Sequence, residues 1–188
     1  MTSNDQSSRQ LTALVVHESM FGNTAAIAEA VVHGLGLAGM DVSSADVAQA
    51  PQLAAVDADL LVVGGPTHAF SLSRESTRED AVRQGASAEH AKFGLREWLN
   101  TTPPAKEGPP KLAVAFDTRV RKVRYLPKTA GTRGAHVLQH LGFTLLERPM
   151  GFLVEDTPGP LVAGEVERAV AWGQQLAREC REQLAVAR

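Results

Sequence analysis

The sequence predicts an α/β protein built on a single doubly wound, five-stranded parallel sheet with strand order 2-1-3-4-5. Three observations carry the prediction. Short apolar runs alternate with helical patterns along the chain, the signature of strand–helix–strand units and a parallel sheet. One run, Ala58–Gly64 (ADLLVVG), is apolar almost throughout, as a central parallel strand covered on both faces must be. The first run passes through a short polar loop straight into a helix. A loop of that kind after the first strand favours this order over the other common doubly wound one.

The elements follow in order. Leu11–Glu18 is the first strand, and a helix runs from about Asn23 to Leu37. Asp41–Val47 is a short second strand resting on Val42 and Val47, and Gln52–Val56 holds a turn or short helix. The third strand, Ala58–Gly64, breaks at Gly65-Pro66, and Thr67–Thr77 is a long loop. Arg78–Thr101 reads as mostly helical with a weak point at Gly85. The Pro-rich connector Thr102–Pro110 ends that helix. Lys111–Phe116 is the fourth strand, Asp117–Lys128 a basic loop, and Ala130–Leu141 a helix stopped by Gly142. Phe143–Val154 holds the fifth strand, interrupted at Pro149, and Leu161–Val186 is a closing amphipathic helix. Residues 1–10 read as a flexible polar tail and 11–188 as one domain.

Composition narrows the function classes. At 188 residues the chain buries a substantial core without staples, and a net charge of −2 gives no reason to expect nucleic acid or a membrane surface as partner. The single Cys180 excludes an internal disulfide and suits a reducing compartment. The polar tail lacks the apolar segment of a signal peptide, so a cytoplasmic location is expected. The six His are dispersed, without His-Glu-x-x-His or Cys pairs, and no metal site is expected.

The loop Ser19-Met20-Phe21-Gly22-Asn23-Thr24 is built like an anion site. The free N–H groups of a helix's first turn and the positive end of its dipole face back into such a loop. Ser19 and Thr24 add hydroxyls, and Gly22 allows close approach of the main chain. Asn23 or Thr24 acting only as a helix cap would not require the Ser and Gly upstream. A Walker loop is excluded because no Gly-Lys-Ser/Thr is present. The formal Gly-x-Gly-x-x-Gly at Gly34, Gly36 and Gly39 follows a helix and precedes a strand, the reverse of a dinucleotide fingerprint. It reads instead as a helix C-cap and turn. A receiver domain would need an acidic pair after the first strand and an Asp at the end of the third. The chain offers Glu18 alone and Gly64-Gly65. Ser19 is not in a Gly-x-Ser-x-Gly elbow, and Cys180 lies on a helix away from the loops.

Ser-x-x-Gly-Asn-Thr after a first strand resembles the FMN phosphate loop of the flavodoxin family, with Phe21 where that family usually carries a hydroxyl residue. Gly65-Pro66-Thr67 is similar to the family's second flavin loop. The resemblance implies that Pro66, Thr67, His68, Ala69 and Phe70 follow the ring's polar edge, with Phe70 the stacking candidate or else an ordinary lid or core aromatic. No Gly stands at Thr67–Ala69 for the peptide flip that stabilises the family's one-electron form, so strong stabilisation of that form is not expected. Asp117, Thr118 and Arg119 fall where the family places its third flavin loop, although Asp117 itself reads rather as a turn or cap residue.

Arg119, Arg121, Lys122, Arg124 and Lys128, joined by Arg74, Arg78 and Arg83, read as a basic rim around the pocket or as a solvated loop. The resemblance implies an FMN-binding protein acting in electron transfer, with a redox partner protein or a small electron acceptor. The alternatives are an NAD(P)H-dependent quinone or flavin reductase on the same fold, and a non-catalytic module that has lost FMN. Fold alone does not separate the three.

Overall fold

The computed structural model describes residues 9–101, 111–125 and 127–186. The Pro-rich connector and most of the expected N-terminal tail lie outside these residues. Of that tail, Arg9 and Gln10 are held to the body, by Asp59 Oδ1 at 2.5 Å and the Gly39 carbonyl at 3.3 Å.

Six strands form one parallel sheet: β1 (Thr12–His17), β2 (Asp41–Asp46), β3 (Leu60–Pro66), β4 (Leu112–Val120), β5 (Thr144–Leu145) and β6 (Met150–Val154). The order is β2-β1-β3-β4-β5, with β6 also paired to β4. The expected fifth strand is therefore two pieces on one side of β4. β5 pairs with Leu112–Ala113, and beyond the break β6 pairs with Phe116–Val120. Strands three and four run further than their apolar runs suggest. Gly65 and Pro66 pair with Asp117 and Thr118, so Asp117, Thr118 and Arg119 are strand residues and not the start of a loop.

Among the described residues five α-helices cover the two faces: α1 (Asn23–Leu37), α2 (Glu75–Arg83), α3 (Leu95–Asn100), α4 (Ala130–His140) and α5 (Glu165–Val186). Strand alternation assigns the side chains to the layers. Ala13, Val15, Leu60, Val62, Val114 and Phe116 pack with the α1 and α5 side. Leu14, Val16, Leu61, Val63, Ala113 and Ala115 pack with the α3 and α4 side. Phe116, Phe152 and Trp172 meet edge to face at 5.8–6.1 Å between centroids and floor the first layer. Cys180 is fully buried there, and burial pushes its thiol up to about 11.

Three further expectations are corrected. The long helix over Arg78–Thr101 is α2, a 3₁₀ turn at Ala88–His90, and α3; α2 begins at Glu75, where Arg74 N–H donates to Thr77 Oγ1 at 2.9 Å. The closing helix begins at Glu165, not Leu161. Gly34 is inside α1 rather than at its cap; a Cβ there would lie 2.1 Å from the Val170 carbonyl oxygen, so it sets the close contact of α1 with α5.

Candidate functional site

A cleft of about 260 Å³ opens at the carboxyl ends of β1, β3 and β4, where ligands of doubly wound sheets sit. It is near the lower end of the ~300–1,000 Å³ usual for ligand pockets, a size that leaves part of a ligand in solvent.

The wall after β1 is the polar loop. Gly22 holds φ +86°, a left-handed conformation a side chain resists, and it turns the chain into α1. Ser19 Oγ accepts from the Ala25 N–H at 3.1 Å and so closes the loop from below. Thr24 is buried, and its hydroxyl meets the Thr118 hydroxyl at 2.8 Å, tying the loop to β4. Asn23 Nδ2 donates to the Pro158 carbonyl at 3.2 Å. None of the main-chain N–H groups from Ser19 to Thr24 donates to another described residue. A run of unpaired donors at the N-terminus of a 15-residue helix is a cradle for an anion.

The wall after β3 is a two-residue hairpin. His68 and Ser71 exchange both main-chain hydrogen bonds at 3.0 Å, while Ala69 and Phe70 hold φ of +43° and +66°. Arg96 braces it, donating to Ser73 O at 2.8 Å, Leu72 O at 2.7 Å and Ser71 Oγ at 3.1 Å. Burial, then the nearby Arg78, lowers the His68 pKa and favours the neutral imidazole.

Behind both loops lies a buried charged cluster. Arg78 is wholly buried, with Nη1 donating to Ser73 Oγ at 2.9 Å and Nη2 lying 3.0 Å from Glu97 Oε2. Glu18, equally buried, accepts from the Leu95 N–H at 2.7 Å, and burial raises its pKa. Arg78 is thus internal and no part of a basic rim.

The wall after β4 carries Thr118 and Arg119. Asp117 is fully buried behind them, clamped by Arg119 at 2.7 and 3.0 Å and accepting the Gly131 N–H at 3.2 Å. Burial raises its pKa, opposed first by Arg119.

Ten of the expected site residues line the cleft: Met20, Phe21, Asn23, Thr24, Pro66, Thr67, His68, Ala69, Thr118 and Arg119. Four do not. Ser19 and Gly22 shape the first loop from beneath, and Asp117 is behind Arg119. Phe70, the candidate for stacking or for a lid, is 55% exposed at the hairpin tip; the flat groups in the lining are Phe21 and His68. The sequence reading missed one face of α2, formed by Thr77, Asp80, Ala81 and Gln84. Their i, i+3, i+4, i+7 spacing is a helix face, legible only once the helix start moves back to Glu75.

Among the described residues no group of three or more His, Cys, Asp or Glu is arranged to hold a metal, and no helix is long and apolar enough to cross a membrane.

No protein-family model matches the chain, and no curated protein matches it in sequence. Solved structures do match. A flavodoxin from the domain Archaea is 18% identical with a TM-score of 0.62, over 91% of this chain and 99% of that one. The oxidised flavodoxin 1 of Bacillus cereus is 14% identical with a TM-score of 0.60, over 89% and 97%. A flavodoxin, WrbA-like protein from Agrobacterium tumefaciens is 18% identical with a TM-score of 0.56, over 92% and 99%. With the parallel order 2-1-3-4-5 and helices on both faces, the chain has the flavodoxin-like fold.

Proposed function

We infer that the protein binds FMN in this cleft and acts in electron transfer, with a redox partner protein or a small acceptor taking the electrons. One observation carries the reading: the unpaired N–H groups of Ser19–Thr24 at the start of α1, turned by Gly22. That donor set suits a phosphate dianion, since each N–H and the helix dipole favour negative charge there. Bound FMN would supply reversible one- or two-electron chemistry. The residues bind and orient. The first loop would hold the phosphate, Thr24 and Thr118 fix it against β4, and the braced hairpin presents Thr67, His68 and Ala69 to the cleft. Phe21 supplies a flat apolar face, and Pro66 and Met20 add apolar lining.

A reductase using NAD(P)H is the second reading. It is favoured by the exposed Lys122, Arg124 and Lys128 beyond Arg119, which suit the phosphate of a nicotinamide nucleotide. The direct test is the purified protein itself. It is expected to be yellow, to release FMN on denaturation, and to rebind it stoichiometrically. A protein that neither carries nor takes up FMN would end both readings.

A further inference from the structure

Arg119 is the one cation among the described residues that line the cleft, and it is held firmly. Its Nε and Nη2 form a two-pronged clamp on Asp117, and Nη1 reaches the Arg124 carbonyl at 3.4 Å. A Cβ on Gly151 would lie 2.0 Å from Nη2 and 2.5 Å from Cζ, so the guanidinium rests flat on the β6 main chain where only glycine fits. Of its five N–H donors, two engage Asp117 and one the Arg124 carbonyl, which leaves two without a described partner on a side chain only 13% exposed.

The charge of Asp117 does not cancel this cation at the cleft. Asp117 is fully buried and does not line the pocket, and its carboxylate is shared with the Gly131 N–H at the N-terminus of α4. Arg119 lines the cleft and Asp117 does not, so the cation is the member of the pair nearer the cleft. The lining's one carboxylate, Asp80, is engaged by Arg83 at the surface.

We propose that Arg119, positioned by Asp117 and Gly151, sets the reduction potential of the bound flavin by favouring the anionic reduced ring. The proposal rests on the FMN reading. Adding two electrons and one proton to oxidised FMN leaves the ring with one net negative charge, with the electrons supplied by a hydride donor or a protein reductant. A fixed guanidinium in a partly dehydrated cleft stabilises that anion more than the neutral oxidised ring. The solvated charges of the following loop are screened by salt and contribute far less.

The test is the two-electron potential of the FMN-loaded protein, measured against indicator dyes with dithionite as reductant. Arg119→Gln is expected to weaken reduced relative to oxidised FMN about tenfold, a fall of about 30 mV. Asp117→Asn removes the counter-charge and leaves Arg119 in place, so the potential is expected to rise. The double variant, in which two amides keep the packing, is expected to fall between them. A role in packing alone would move both single variants the same way, because each breaks the same clamp. Shifts of the same sign, or no shift in either with FMN still bound, would overturn the proposal and leave the FMN reading intact. Failure of the unmodified protein to bind FMN would overturn both.

Discussion

The loops after β1 and β3 both reverse the chain tightly beside the cleft, by opposite means. The first places Gly22 at φ +86° and leaves the N–H groups of Ser19–Thr24 without partners among the described residues. The second forces Ala69 and Phe70 into left-handed conformations and holds them with paired main-chain bonds and three donations from Arg96. The first N–H groups of a helix have no intrahelical partner, so this run is free to meet water or a ligand, and the FMN reading places the phosphate there. The second loop directs its polarity inward and serves as a support. Recognition is assigned to the first and shape to the second.

The largest expected effect is in the charged cluster buried behind the two loops. Arg78→Met strands Glu18 and Glu97 near one another and is expected to cost about 3–5 kcal/mol in urea unfolding. Ser19→Ala, the matching change in the first loop, removes only the bond to the Ala25 N–H and is expected to cost about 1 kcal/mol. Equal losses would erase the distinction between support and recognition.

Glycine exchange between the loops sharpens the comparison. A Cβ on Gly22 meets nothing within 4 Å, so Gly22→Val acts through backbone strain and not crowding. The expected cost is about 1–2 kcal/mol of stability, with FMN affinity down about tenfold. Ala69→Gly relieves the opposite strain and is expected to raise stability by up to about 1 kcal/mol, with FMN affinity nearly unchanged. A destabilising Ala69→Gly would show that the hairpin is not strained.

Why one loop was readable in the sequence and the other only partly follows from the same physics. A strand, a Gly-bearing polar loop and a helix start are contiguous, so Ser19–Thr24 announces itself locally, as does the apolar run of β3. Asp117-Thr118-Arg119 looks like a loop because it is polar. It is a strand because Asp117 finds Arg119 and Gly131, and Thr118 finds Thr24, a partner 94 residues away. Arg78 reads as a surface charge for the same reason: its partners, the Glu97 carboxylate and the Ser73 hydroxyl, come from separate segments with no shared period. Phe70 reads from the sequence as a stacking or a lid aromatic, and it stands 55% exposed at the hairpin tip.

The smallest expected effect lies outside both loops. Arg121 is paired with Glu155, and exposed Lys122, Arg124 and Lys128 remain as the charges to test. Replacing these three with Ser is expected to slow transfer to an acidic partner about threefold at low salt and to flatten its salt dependence, because exposed charges act over ~8–10 Å. A raised KM for NADPH with little change for NADH would instead favour the reductase reading. If neither changes, the segment is only a solvated surface.

The central claim, that the unpaired main chain of Ser19–Thr24 recognises a phosphate, is tested most directly by titrating the apoprotein with FMN and with riboflavin and following flavin fluorescence. The two ligands share the ring and differ in the phosphate. FMN is expected to bind about a hundredfold more tightly, about 2.7 kcal/mol, in line with several charge-assisted hydrogen bonds at a helix N-terminus. Equal affinities for FMN and riboflavin would contradict the account.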